Sequence, residues 1–133
     1  MKPPEHLLLF IDRSLGKQII ASALRTAGYS VEVHDDHFPS DAADTVWLSE
    51  VSRRGWVVLT KDKRIRYRAS ELNAVSATKA RVFTLTAGSI QAQEMADIFI
   101  LAMPKIRAFV VNNQPPYIVT INRAGALSKV YPY

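Results

Sequence analysis

The feature that most constrains this chain is an alternation, over its first 85 residues, of short apolar runs with stretches of helical periodicity. HLLLFID (6–12) is a continuous apolar run of strand length that ends at Asp12. Residues 17–27 place apolar side chains at 19, 20, 23, 24 and 27, a helical spacing, and Gly28 supplies a stop. SVEVH (30–34) alternates as a short strand and leads into the polar loop DDHFPSDAAD (35–44). A second helix is expected over 45–54, with apolar residues at 46, 47, 48 and 51 and Gly55 at its end. WVVLT (56–60) reads as a buried strand, a helix follows near 69–79, and RVFTL (81–85) is a fourth strand. Ser89 to Met103 reads as an amphipathic helix with Ser89 as its N-cap. After Pro115–Pro116, residues 117–122 and 127–131 around Arg123–Ala124–Gly125 read as a β-hairpin. The expectation is one domain spanning 1–133, with a core at about 6–103 and the hairpin as a C-terminal extension over 117–131.

Strands that alternate with helices imply an α/β fold with a parallel sheet covered on both faces. Right-handed crossovers then bring the C-terminal ends of all strands to one edge, where such sheets bind ligands. Asp12, the His34–Asp36 segment and Asp62 all fall at that edge. Composition removes several chemistries. The chain has no cysteine, so disulfides, thiolate metal sites and cysteine nucleophiles are excluded. The N-terminal apolar run, Leu7 to Ile11, is too short for a signal-peptide core or a membrane span, so a soluble cytoplasmic protein with no membrane partner is expected.

The net charge of +5 is unevenly spread: residues 1–62 carry −2 and residues 63–133 carry +7. Eight of the twelve acids lie between Asp12 and Asp62, both included. An acidic cluster followed by a basic stretch suits a protein that holds cations at one place and a polyanion at another.

Mg²⁺ and Mn²⁺ are hard ions that take oxygen ligands, and one or two carboxylates with waters suffice for Mg²⁺. Phosphodiester hydrolysis can use such ions to polarise a phosphoryl oxygen and activate water. Asp12 and Asp62, at adjacent strand ends, with an acid from the loop or helix between them such as Asp44 or Asp41, are the candidate ligands and catalytic residues, and Asp36 is a further candidate ligand. Crowded carboxylates repel, so one of them is expected to have a raised pKa. Each also has a plain structural reading: Asp12 as a strand end, Asp62 as part of a Lys61–Asp62–Lys63 turn, Asp44 or Asp41 as an N-cap. His34 and His37 flank Asp35–Asp36 and suggest a transition-metal site, but consecutive residues at a strand end point alternately. Glu50 lies off the helical face of Asp44 and reads as solvated surface. Lys61, Lys63, Arg64, Arg66 and Arg68, with Tyr67 among them, suit a single-stranded RNA, as does Arg13 beside Asp12. The competing reading is a solvated basic turn. Trp47 and Trp56 read as core rather than as substrate contacts.

FIDRSLG (10–16), VHDDHFPSDAADTVWL (33–48) and GWVVLTKDKRIRYR (55–68) resemble the PIN-like domain group, which includes VapC-type toxins. The resemblance covers roughly residues 7–85. It implies a three-layer α/β/α sandwich, Mg²⁺- or Mn²⁺-dependent cleavage of RNA, and the toxin role in a toxin–antitoxin pair, hence an antitoxin partner. A homodimer is compatible with it. Residue by residue, Asp12 matches the acid that ends the first strand, Asp44 the acid that opens the helix before the third strand, and Asp62 the acid of Thr-x-Asp. The sequence departs from the pattern at Arg13–Ser14, where many relatives have Glu-Asn. The family's fourth acid has no clear match, so Asp36 or Asp41 stands in for it and a second metal is in doubt. Two alternatives stay open: a catalytically silent PIN-like module that binds RNA or protein, and a receiver-like phosphoryl-handling domain. The second would show adjacent acids on the first strand and a late lysine, whereas Ile11 precedes Asp12 and RVFTLT has no lysine.

Overall fold

The computed structural model describes residues 7–16, 18–62 and 69–132, and the side chains of all of these but residues 69–71. In chain order the elements are β1 (Leu8–Ile11), α1 (Ile19–Thr26), β2 (Ser30–Val33), α2 (Asp44–Arg53), β3 (Val57–Thr60), α3 (Ala69–Thr78), β4 (Arg81–Leu85), α4 (Ala92–Asn112), β5 (Tyr117–Ile121) and β6 (Leu127–Tyr131). Short 3₁₀ turns follow β1 at Arg13–Leu15 and β2 at His34–Asp36. The six strands form one sheet in the order β2-β1-β3-β4-β5-β6, parallel throughout except for β6. Strands β3 and β4 are buried at every position, as expected of parallel strands covered on both faces.

Two clusters of buried side chains lie on opposite faces. Leu9, Ile11, Leu59 and Phe83 pack with Ile20 and Leu24 of α1 and with Phe99, Met103 and Ile106 of α4. Phe10, Val58 and Val82 pack with Trp47, Leu48 and Val51 of α2 and Val75 of α3. The product is an α/β/α sandwich. The strand order also locates a crevice. The chain leaves β1 for β2 on one side, then returns to β3 on the other, so direction reverses between β1 and β3. The helices that follow those two strands diverge to opposite faces, and the carboxyl ends there are left uncovered.

Local expectations hold closely for the strands and differ at the helices. Helix α1 buries Ile20, Ala21 and Leu24 and leaves Ile19 exposed, a rotation of the expected face. Gly28 and Gly55 follow α1 and α2 with φ of +99° and +77°, the left-handed values that end a helix. Helix α4 starts at Ala92 with Gln91, not Ser89, as N-cap, and it continues through Pro104 to Asn112. Pro104 lies on the solvent face, so the carbonyl that loses its N–H partner can meet water, while Met103, Ile106 and Val110 keep the buried stripe continuous. The C-terminal hairpin continues the main sheet: β5 pairs in parallel with β4 and buries Tyr117, Ile118, Val119 and Ile121. Among the described residues, no helix is long and apolar enough to cross a membrane.

Candidate active site

At the crevice between β1 and β3 lies a cleft of about 270 Å³ lined by Asp12, Arg13, Ser14, His34, Ala42, Asp44, Trp47 and Asp62. Asp12 enters it because it directly follows β1, whose register is set by pairing to β2 and β3. Asp62 stands two residues past Thr60, the last residue of β3, and Asp44 is the first residue of α2. The cleft therefore collects three carboxylates from separate elements.

Asp12 is 5% exposed, and three donors meet it. Its Oδ1 accepts from the Ser14 backbone N–H at 3.0 Å and from the Ser14 hydroxyl, and its Oδ2 accepts from the Thr60 hydroxyl at 2.6 Å. Thr60 Oγ1 in turn accepts the Asp62 N–H at 3.0 Å, and Ser14 Oγ accepts the Lys61 N–H at 3.0 Å. Each hydroxyl has one proton and gives it to Asp12, so the 3.2 Å approach of Ser14 Oγ to Thr60 Oγ1 is a contact within this network rather than another bond. The network ties the turn after β1 to the turn after β3. Burial pushes the Asp12 pKa up to about 6; the Ser14 and Thr60 hydrogen bonds oppose the shift and the Asp62 charge adds to it. The direction matches the expectation of one raised carboxylate, but desolvation outweighs like-charge repulsion as the cause.

Asp44 does not cap its helix. Ala43 is the N-cap, and the Asp44 Oδ1 accepts from the Trp47 indole N–H at 3.0 Å. Trp47 is 3% exposed, so it fills the core as expected, yet it also reaches the cleft wall. His34 is 2% exposed, lines the same cleft, and lies 3.4 Å from Asp35 Oδ1. Burial holds its imidazole below the ordinary value, with Asp35 acting in the other direction. His37 instead turns to Glu32, 2.9 Å away, so the two histidines diverge and the His-Asp-Asp-His run makes no joint site. Trp56 stacks on Phe10 at 6.0 Å and lies under the Arg54 guanidinium, away from the cleft.

The remaining candidates separate by position. Asp36 and Asp41 are exposed and do not line the cleft. Arg13 lines it, with its guanidinium bonded to the Ser40 carbonyl and 3.8 Å from Asp35. Lys61 is exposed beside the Ser14 turn. Lys63, Arg64, Arg66, Tyr67 and Arg68 lie outside the described residues. Glu50 pairs with Arg53 and Arg54 on the surface of α2. Ser14 and Trp47 are cleft residues that the motif pattern leaves out, and His34 enters that pattern only through its strand-end place and the transition-metal run. Ser14 had a signal, since a hydroxyl two residues past a strand-end acid can bond back to it.

Among the described residues, no three acidic or histidine side chains already stand close enough to ligate one ion. The donor set nonetheless suits Mg²⁺ or Mn²⁺: the acids lining the cleft offer oxygen, and Mg²⁺ fills most of its coordination shell with water. A desolvated carboxylate such as Asp12 also gains strongly from a nearby cation.

Residues 8–87 match the family described as a PIN like domain. The chain is also 30% identical over 131 residues to a Mycobacterium tuberculosis protein named "Putative ribonuclease VapC45", an alignment that covers 92% of this chain and 94% of that one. No solved structure matches the chain. The strand order, the acid-lined cleft at the reversal point and the match over residues 8–87 lead to one statement of kinship: this chain belongs to the PIN-like domain family.

Proposed function

We propose that the protein is a Mg²⁺- or Mn²⁺-dependent endoribonuclease, the toxin of a toxin–antitoxin pair, acting in the cytoplasm. The observation that carries this reading is the meeting of Asp12, Asp44 and Asp62 in one cleft. The name of the mycobacterial relative supports RNA as substrate, and the family's VapC-type members support an antitoxin partner. These three aspartates would hold the ion, which when bound would polarise a phosphoryl oxygen and make water a better nucleophile.

The chain's own groups have separable tasks. Ser14 and Thr60 orient the Asp12 carboxylate and keep it from turning away from the cleft. Asp62 is tied to the same network through its backbone N–H, and the residue lines the cleft. Arg13 and Lys61, together with Lys63, Arg64, Arg66 and Arg68, neutralise phosphates along the strand entering the site. Asp36 and Asp41, being outside the cleft, have no part in this assignment.

The test is cleavage of a labelled single-stranded RNA by the purified chain. Activity that disappears on chelation and returns with Mg²⁺ or Mn²⁺ is the expected result. RNA bound but uncut under every metal condition would instead establish the silent binding module, and cleavage indifferent to chelation would remove the metal from the account.

A further inference from the structure

We propose that Trp47 is a positioning residue of the cleft: its indole N–H, aimed by an aromatic clamp, holds the Asp44 carboxylate in the orientation that ligates a divalent cation. The inference rests on the metal-dependent reading above and adds to it a residue that no acid-based motif contains.

Asp44 and Trp47 are three residues apart on α2, so their side chains share a helix face. The indole Nε1 donates to Asp44 Oδ1 at 3.0 Å. A buried indole needs a partner for its one N–H, and any carbonyl would serve. This one is given to a carboxylate that lines the cleft. A bond to an ionised acceptor is stronger than a neutral one. It also restricts a short side chain that would otherwise swing between cleft and solvent. With Oδ1 tied to the indole, Oδ2 would be the oxygen presented to an ion held in the cleft.

The indole is itself held from two strands that feed the site. The Phe10 ring, two residues before Asp12 on β1, lies 5.5 Å from it at an interplanar angle of 30°. His34, at the end of β2, meets it edge-on at 6.0 Å and 83°. Phe38 packs against both Phe10 and His34, at 6.0 Å and 5.5 Å. Aromatic rings have few rotamers and prefer such tilted contacts, so the cluster fixes a direction as well as filling space. This gives the buried His34 a task with no change of charge: it is one jaw of the clamp. If Trp47 were core filling and nothing more, Phe would replace it at little cost to the cleft.

The test titrates Mn²⁺ into the metal-free full chain by calorimetry and follows thermal unfolding of the same samples. Trp47→Phe keeps an aromatic ring and removes the N–H with the rest of the indole. It is expected to weaken Mn²⁺ binding about 10-fold, within the usual loss when a partner of a metal ligand is removed, and to lower the melting temperature because the smaller ring leaves a cavity in the core. In an Asp44→Ala background the same substitution should cost nothing further. Phe10→Leu, which loosens the clamp and keeps the indole, should give a smaller loss of affinity, and it carries the test if Trp47→Phe does not fold. Mn²⁺ affinity unchanged in these variants, or a full additional loss in the Asp44→Ala background, would overturn the role of Trp47 while leaving the metal site standing. A wild-type chain that binds no Mn²⁺ would overturn the metal-dependent reading and this inference with it.

Discussion

The two faces of the sheet are built from different side chains. Beneath α1 and α4 the core is broad and mostly aliphatic, with Leu, Ile, Val and Met around Phe83, Phe99 and Tyr117. Beneath α2 and α3 it is smaller and centred on rings, with Phe10 and Trp47 inside and Phe38 and Trp56 half-buried at its margin. Among the described residues, only the second face reaches the cleft through its core: Trp47 belongs to both, and no residue of α4 lines the cleft. Aliphatic packing is tolerant of exchange at constant volume, whereas a ring that carries a polar edge has a direction to keep. One face serves to stabilise the sandwich, and the other also carries the ring that bonds to Asp44.

A large-to-small substitution on the aliphatic face is the harshest test of that division. Phe99 is fully buried in α4, and Phe99→Ala should destabilise the protein by about 3–5 kcal/mol, the range for deleting a buried ring. Mn²⁺ affinity of the folded fraction should stay at the wild-type value. Denaturant melts paired with calorimetry check both halves, and a parallel loss of affinity would mean that the two faces are not separable.

The next effect in size concerns pH. The folded pKa of Asp12 is raised from 3.8 to about 6, so between those values the native state binds more protons than the unfolded chain. Stability from this group is therefore full below about pH 4 and is lost as pH rises towards 6, by on the order of 3 kcal/mol. Metal-free wild type should lose stability across that window relative to Asp12→Asn, which cannot titrate there. Two pH–stability curves that run parallel would contradict the burial of an ionisable Asp12.

Much of this architecture was legible because parallel strands announce themselves as short apolar runs. RVFTL is a strand over the expected residues, 81–85, and β1, β2 and β3 begin or end within two residues of their expected limits. Strand-end acids were legible for the same reason, since Asp12 follows such a run directly and Asp62 stands two residues after one. The helices were harder. The expected helix ends at Met103, whereas α4 runs on through Pro104, whose place on the solvent face depends on how that helix packs. Ile19 and Val46 look like core and are exposed, because a helix face is chosen by the sheet it covers. At the site, Trp47 and His34 carry the signature of ordinary core residues; only the meeting of β1, β2 and α2 turns one toward Asp44 and the other toward Trp47. Asp36 and Asp41 are close to the site in sequence but are not among the residues that line the cleft.

The metal-dependent chemistry proposed for the acids at the carboxyl ends of β1 and β3 is tested most directly by Asp62→Asn. Asp62 is linked to the site network by its backbone N–H, which donates to Thr60, so the amide substitution leaves that bond in place. Removing its charge also relieves repulsion at the buried Asp12. Single-turnover cleavage of RNA and thermal unfolding of the same preparation give the two readouts. Cleavage is expected to fall by about 10³-fold or more, the scale of losing a group that acts at the reacting centre, while the metal-free melting temperature stays level or rises. An Asp62→Asn protein that cleaves RNA at the wild-type rate would contradict the proposal.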